Sequence, residues 1–184
     1  NKRLTRPLTV PKNYDKESVQ AIYLGAKEWE RQRFFAKAIE KYETCLQKDP
    51  NYIQALNGLG GILLRHTRFE KALHLITIAL SVDTYHPDSN YLYGLVNNRL
   101  GNITDAKDGF SIASQSVEYR TASFIELAKI YIREHQYKKA YSYVMKALQY
   151  NTKICQVLQL IIIIKRLEGK NEEEMIAKSN GKAG

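Results

Sequence analysis

Four alanines recur along the chain at a constant spacing, at Ala38, Ala72, Ala106 and Ala140. A second small residue follows each of them seven positions later, and a bulky apolar residue precedes each by three. The small residues are Cys45, Ala79, Ala113 and Ala147, and the bulky ones are Phe35, Phe69, Ile103 and Tyr137. Two antiparallel helices approach closely only where one offers small side chains, and large side chains then fill the hollow beside the contact. The spacing therefore predicts a stack of helical pairs.

A 34-residue period with small and large apolar positions in fixed phase resembles the tetratricopeptide repeat (TPR) family. The resemblance covers residues 19–154 and implies an all-α fold, a right-handed superhelical solenoid of four helix-turn-helix repeats with a C-terminal capping helix. We expect the repeats at about 19–52, 53–86, 87–120 and 121–154, within a repeat region of 15–154. The turn inside each repeat is expected near Arg33, Arg68, Gly101 and His135.

The two ends of the chain depart from this period. Residues 1–14 are basic and contain Pro7 and Pro11, which predicts an extended linker or arm. At the other end, we expect capping helices over 155–178. One helix is expected from Cys155 to Glu168 with Gly169 as its C-cap, a short segment at 171–178 is expected to fold back over it, and 179–184 are expected to be a disordered tail.

The predicted capping helix is apolar on nearly every side, because it contains Leu158, Leu160 and the run 161–164 of four isoleucines. A terminal helix of a solenoid needs a polar outer face, so something should cover this one. The alternatives are the fold-back segment, a dimer partner docked through 155–168, or native chain beyond this terminus.

Two repeats carry residues that do not suit a helix interior or an apolar position. Gly58, Gly60 and Gly61 each cost about 1 kcal/mol relative to Ala inside a helix. Gly60 lies at a close-approach position, whereas Gly58 and Gly61 have no such reason and suggest room for a partner's backbone. In the third repeat, Asn97 stands at an apolar position, and we expect a buried, locally bonded amide rather than a ligand contact.

No pattern in the sequence indicates an enzyme. The Gly-rich, zinc-protease and nucleophile-elbow motifs are absent, and the four histidines have no partner at metal-ligand spacing. Cys45 and Cys155 lie far apart without a CxxC spacing, so neither a zinc site nor a disulfide framework is indicated. We therefore expect no catalytic residue, no cofactor and no metal.

The net charge narrows the class of binding partner but does not identify the partner. The chain has 28 Lys and Arg against 19 Asp and Glu, for a formal charge of +9, which favours acidic partners or nucleic acid. No apolar stretch is long enough to span a bilayer. The absence of a signal peptide slightly favours the cytoplasm, and a first residue other than Met indicates that the native N-terminus is missing.

One charged position also follows the period, at Arg31, Arg65, Arg99 and Arg133. In TPR proteins the first helices line the concave groove, so the resemblance implies an arginine row along its edge. A cation near a helix C-terminus is also stabilised by the helix dipole, and that structural role is the alternative. The resemblance adds further groove-facing positions, of which the binding candidates are Tyr23, Lys27, Asn57, Tyr91, Asn98 and Lys129. The Lys and Asn set of the TPR carboxylate clamp is not matched, because Gly61, Asp88 and Leu92 do not fit.

The leading functional hypothesis is a non-enzymatic scaffold that binds a peptide or protein, of acidic character, in its concave groove. The alternatives are an RNA-binding helical repeat and a module that self-associates through the apolar C-terminal helix. Nucleic acid is not the expected partner, because the groove positions that would read bases vary from repeat to repeat. The stretches 91–95 and 105–110 also resemble repeats that end some large bacterial proteins with β-rich domains, which would make this chain an interaction tail.

Overall fold

The computed structural model describes residues 15–150 and 155–180, with side chains described as far as Gly169. Within these ranges the chain forms nine α-helices and no strand. The helices are α1 (Val19–Arg31), α2 (Phe35–Lys48), α3 (Ile53–Arg65), α4 (Phe69–Val82), α5 (Pro87–Leu100), α6 (Ile103–Ala113), α7 (Arg120–Arg133), α8 (Tyr137–Tyr150) and α9 (Cys155–Asn180). The predicted all-α class is confirmed.

The helices form hairpins that stack in chain order. Each first helix, from α1 to α7, packs most extensively on the second helix that follows it. Each second helix then packs on the first helix of the next pair, as α2 does on α3 and α8 does on α9. Every contact therefore joins near neighbours in the chain, which is the organisation of a solenoid.

The residues in the repeated small positions form the centre of each pair. All four alanines of the periodic series are 0% exposed, and so are the four small residues that follow them by seven positions. The four bulky residues that precede them each begin a second helix: α2, α4, α6 or α8. The predicted packing role of this pattern is confirmed.

The turn of each hairpin uses the same backbone conformation at the same repeat position. Arg33, Thr67, Gly101 and His135 occupy equivalent positions of successive repeats and have positive φ of 64°, 58°, 87° and 59°. A left-handed residue reverses the chain after a helix, and only the third repeat uses a glycine, which adopts it without strain. The other three turns are held by the packed hairpin despite a cost of about 1 kcal/mol or more each.

The glycines of α3 differ in how much space lies beside them. A Cβ on Gly58 would lie 2.5 Å from Cζ of Tyr42, so the fully buried Tyr42 ring already occupies the space beside this glycine. The expectation that Gly58 leaves room for a partner's backbone is wrong. A Cβ on Gly61 would meet only Leu92, at 3.9 Å, so the space beside this glycine is open.

The two asparagines at apolar positions of α5 are buried and bonded locally. The side-chain amide of Asn97 donates to the Tyr93 carbonyl at 3.1 Å and its Oδ1 accepts from Asn102 at 3.0 Å. The side-chain amide of Asn90 donates to the carbonyls of Thr84 and His86. The predicted local bonding of Asn97 is confirmed, and both amides tie α5 to an adjacent turn.

The last helix differs from the prediction, because α9 runs from Cys155 to Asn180 without a break. The expected C-cap at Gly169 and the fold-back of 171–178 are therefore wrong. A helical glycine costs only about 1 kcal/mol, and the Glu- and Lys-rich sequence that follows Gly169 favours continuation of the helix. The expectations for 1–14 and 181–184 concern residues outside the described ranges, while 179–180 belong to α9.

A substitution at Gly109 tests how closely α6 approaches α5. A Cβ at Gly109 would lie 2.7 Å from the Asn90 carbonyl oxygen and 2.8 Å from the Gly94 nitrogen, which are backbone atoms that cannot rotate away. We expect Gly109→Ala to lower the free energy of unfolding by about 1–3 kcal/mol, although Ala is the better helix former. Gly25→Ala is the control, with no atom within 4 Å, and should stabilise by up to about 1 kcal/mol. Urea unfolding followed by circular dichroism measures both, and a G109A protein as stable as wild type would contradict the close approach.

Candidate functional site

A cavity of about 160 Å³ lies between three first helices, α1, α3 and α5. These helices are neighbours, because α3 packs on both α1 and α5. The cavity is lined by Tyr23, Lys27, Glu30, Gln54, Asn57, Gly58, Gly61, Arg65, Asp88 and Leu92. Four of the predicted site residues, Tyr23, Lys27, Asn57 and Arg65, are thus brought together in one place.

Glu30 holds the cations of this cavity in position. Its carboxylate lies 3.3 Å from Nη2 of Arg65 and 3.5 Å from Nζ of Lys27, and it accepts a 2.7 Å hydrogen bond from the hydroxyl of Tyr42. Burial, and then the hydrogen bond to Glu30, raise the pKa of Tyr42 well above its ordinary value. Sequence analysis missed Glu30, although its position three residues after Lys27 is a signal for an ion pair on one helix face.

Asn57 is the most buried polar side chain in the cavity, with 3% of its surface exposed. Its Oδ1 accepts a hydrogen bond of 3.0 Å from Ser89, which also contacts His86. Its side-chain nitrogen, Nδ2, has no hydrogen-bond partner among the described residues. A buried donor without a partner costs about 1–3 kcal/mol, so an acceptor delivered by a ligand would recover that energy.

The hydrogen-bonding groups of the cavity are mostly donors. Lys27, Arg65, Gln54 and Asn57 all carry N–H groups, and the acceptor Glu30 is already engaged by three donors. The other carboxylate, on Asp88, accepts a 2.8 Å hydrogen bond from Tyr119. The arrangement suits an oxygen-rich, anionic group.

The four arginines of the predicted row do not share one environment. Arg65 reaches the cavity, and Arg31 lies in an adjoining cavity of about 550 Å³ that also contains Lys27, Glu30 and Leu24. Arg31 pairs with Glu28, and the hydrogen bonds from Arg31 and then Gln32 lower the pKa of Glu28 to about 2. Glu28 and Glu30, which sequence analysis did not assign to the site, therefore neutralise the charges of Arg31 and Arg65 in the arginine row.

The other two arginines lie outside these cavities. Arg133 donates a hydrogen bond to Asn98, 35 positions earlier in the chain, just as Arg65 does to Glu30. Arg99 is exposed on α5. The residue 35 positions before it, where Arg65 and Arg133 have their hydrogen-bond partners, is the apolar Leu64. Arg65 and Arg133 thus also connect neighbouring repeats.

The remaining predicted residues, Tyr91 and Lys129, lie on α5 and α7. Tyr91 lines a separate cavity of about 320 Å³ with Glu118, Thr121, Ala122, Ile125, Glu126 and Gln156. Burial, and then the charge of Glu126, raise the pKa of Tyr91 to about 12. Lys129 lies 2.6 Å from Glu126 and is paired with it. This second cavity has two carboxylates in its lining, Glu118 and Glu126, and no Lys or Arg, although Lys129 beside it pairs with Glu126.

The described residues include no group of three or more His, Cys, Asp or Glu side chains placed to hold a metal ion. In the same ranges, none of the helices is long and apolar enough to cross a membrane.

Comparisons with known sequences match the repeat region. A sequence profile for the TT21 fifth ARM repeats domain matches residues 21–132. The type IV pilus assembly protein PilF of Pseudomonas aeruginosa is 28% identical over 109 residues, which are 58% of this chain and 43% of PilF. The chain thus matches less than half of the length of this curated relative.

Solved TPR structures share the fold. The crystal structure of PilW, a type IV pilus biogenesis factor, has a TM-score of 0.74 at 22% identity and covers 92% of this chain and 81% of PilW. MamA has a TM-score of 0.73 at 19% identity, with 86% and 87% covered. YrrB, described as a TPR protein with an unusual peptide-binding site, has a TM-score of 0.66 at 15% identity, with 90% and 94% covered. The predicted TPR solenoid is confirmed.

The hydrogen bond from Tyr42 to Glu30 gives a pH-dependent test. Replacing Tyr42 by Phe removes a bond to a charged group, so we expect the free energy of unfolding to fall by about 1.5–3 kcal/mol at neutral pH. Because the folded state raises the pKa of Tyr42 above 10.0, wild-type stability should be retained below pH 10 and decrease above it. Y42F should show a shallower alkaline decrease in urea unfolding.

Tyr143→Phe is the matched control for this substitution, because the Tyr143 ring stacks on Tyr131 and its hydroxyl makes no hydrogen bond to the described residues. It should change stability by less than about 0.5 kcal/mol. Identical alkaline profiles for wild type and Y42F would refute the assigned role of the Tyr42 hydroxyl.

Proposed function

The chain belongs to the family described as the TT21 fifth ARM repeats domain, and we propose that it is a non-enzymatic scaffold that binds an acidic peptide segment in its concave groove. Family membership and the TPR fold support a protein-interaction role in general. The observation that carries the specific proposal is the donor-rich cavity between α1, α3 and α5, whose lining includes Asn57, a residue with a buried side-chain nitrogen that has no hydrogen-bond partner among the described residues.

The chemistry of the cavity selects a carboxylate. Lys27 and Arg65 supply charge, and Asn57 supplies a donor that is buried and unused. The two carboxylates of the cavity, on Glu30 and Asp88, already accept hydrogen bonds from Tyr42 and Tyr119. The ligand group is therefore an acidic side chain or the carboxylate at a chain end.

The size of the cavity limits what enters it. A volume of about 160 Å³ corresponds to roughly five water molecules at about 30 Å³ each. One short side chain or one chain terminus fits, and the rest of the peptide must lie along the groove. The adjoining cavity at Leu24 and Arg31 offers an apolar and a basic contact for a neighbouring residue.

The cavity beside Tyr91, with Glu118 and Glu126 in its lining, gives the bound segment a direction. Glu118 and Glu126 lie beside Tyr91 at the other end of the groove and favour a basic or aromatic side chain. We therefore assign the acidic part of the peptide to the end at α1 and α3. We assign Arg65 to ligand contact, and Arg99 and Arg133 to stabilisation of their helix ends and neighbouring repeats.

The arginine row provides a matched test of the proposal. A library of immobilised peptides that vary in the number and position of acidic residues is probed with wild type, Arg65→Gln and Arg99→Gln. Both substitutions remove one positive charge at the same repeat position, but only Arg65 lines the cavity. We expect R65Q to weaken binding of the acidic peptides at least about tenfold, since a charged hydrogen bond contributes about 1.5–3 kcal/mol, and R99Q to bind like wild type.

Asn57→Asp is the second variant. It keeps the oxygen that accepts from Ser89 but replaces the unused donor by a carboxylate, which repels an anionic ligand. Thermal unfolding confirms that the variants are folded. The proposal fails if wild type retains no peptide, or if R65Q, R99Q and N57D select the same peptides with equal affinity.

A further inference from the structure

Exposed apolar side chains are concentrated at the C-terminal end of the solenoid. Of the eleven large apolar side chains that are exposed in the described residues, six lie in α8 and α9. Three of them, Tyr141, Leu158 and Ile162, are 37%, 50% and 52% exposed. We use the name end face for these three residues, on the adjacent helices α8 and α9, together with the exposed cations Lys138, Lys165 and Arg166 that lie within about one helical turn of them.

In the earlier repeats, the positions that correspond to Leu158 and Ile162 are covered. The positions that correspond to Leu158 in the earlier repeats are at least half-buried in every hairpin, and those that correspond to Ile162 are fully buried. The counterparts of Leu158 are Ile22, Leu56, Asn90 and Phe124, and those of Ile162 are Ala26, Gly60, Gly94 and Ala128. In each hairpin the second helix covers these positions, and α9 is a first helix that has no such partner in the described chain.

A further second helix of the repeat type does not fit here. The earlier hairpins have Ala or Gly at the position of Ile162, and these small residues allow the second helix to come close. An isoleucine blocks that approach. The chain after Ile162 continues as the same helix to Asn180 and does not turn back over the end face.

As far as Gly169 the charges on these two helices are mostly positive, and further along α9 the sequence has Glu172, Glu173 and Glu174. Across α8 and the side-chain-described part of α9 there are five cations and one carboxylate, on Glu168. The cations are Lys138, Lys139, Lys146, Lys165 and Arg166, all of them exposed. Lys138 lies one turn before Tyr141, and Lys165 and Arg166 lie one turn after Ile162, so they flank the apolar side chains.

The combination of exposed apolar side chains and cations argues against two other binding partners of the end face, a second copy of the chain and nucleic acid. A second copy of the chain docked through the same face would bring two sets of these cations into one interface. Nucleic acid would satisfy the cations, but Leu158 and Ile162 neither stack on bases nor form hydrogen bonds. None of the three cavities described above includes an apolar side chain of the end face.

We propose that the end face binds the surface of an anionic lipid bilayer. The side chains of Leu158, Ile162 and Tyr141 enter the boundary between head groups and acyl chains, and the flanking cations reach the lipid phosphates. A fluid surface moulds itself around protruding side chains, so no shaped recess is required. The contact is peripheral, and it uses side chains that line none of the three described cavities.

Vesicle sedimentation tests the proposal with the whole chain. The probes are vesicles of phosphatidylcholine alone and of phosphatidylcholine mixed with phosphatidylglycerol in equal parts, both at low salt. We expect binding to the anionic vesicles only, and weaker binding as salt rises. Lys165→Gln should lower the partition coefficient about fivefold, since each cation near an anionic surface contributes on that scale, and the double variant Leu158→Ser with Ile162→Ser should abolish binding.

Matched controls come from exposed residues elsewhere on the chain. Val117→Ser removes an apolar side chain that is 82% exposed outside the end face, and Lys41→Gln removes an exposed cation of α2. Both should bind anionic vesicles like wild type. The proposal is overturned if wild type does not bind anionic vesicles, or if the end-face variants bind as tightly as these controls.

Two further measurements identify the other occupants if the proposal fails. Sedimentation equilibrium that shows a dimer, lost in the Leu158 and Ile162 double variant, would assign the end face to a second copy of the chain. Binding of unstructured RNA that is lost on Lys165→Gln would assign it to nucleic acid. Circular dichroism confirms that each variant keeps the helical content of wild type.

Discussion

The structure depends on the close approach of the two helices in each hairpin. That approach requires small side chains at fixed positions, and in the third hairpin even the Cβ of an alanine at Gly109 would strike the backbone of α5. Each hairpin is too small to bury its own apolar surface and relies on the next one in the stack. The same constraint explains why α9, a first helix without a paired second helix in the described chain, leaves Leu158 and Ile162 exposed.

Because the small residues fix the packing, the groove-facing positions are free to differ between repeats. The position occupied by Tyr23 in the first repeat is Asn57, Tyr91 and Ile125 in the following ones. One of these is a buried amide with an unused donor, and another lines an acidic cavity. A regular scaffold thus presents an irregular chemical surface, which is how a repeat protein acquires selectivity without a catalytic centre.

The net charge of +9 is a poor guide to the groove itself. Lys27 and Arg65 in the first cavity are balanced by Glu30 and Asp88, so its selectivity rests on the placement of donors rather than on excess charge. The excess of cations is more evident on α8 and α9, at the opposite end from this cavity. The two proposed contacts, with a peptide and with a lipid surface, therefore use different physical properties of the chain.

The regular period of small and bulky residues was enough to predict the helical class, the hairpins and their turns, because helix pairing depends on side-chain size at regular intervals. The resemblance to the TPR family, rather than the period itself, implied that Tyr23, Lys27, Asn57 and Arg65 face one groove, and all four line one cavity. The period did not predict that Glu30 would engage both cations, that Tyr42 would fill the space beside Gly58, or that α9 would continue through Gly169. The first two features depend on which side chains meet across different helices, and the third depends on a small energy difference at a helix end. The spacing of residues along the chain encodes neither the contacts between helices nor that energy difference.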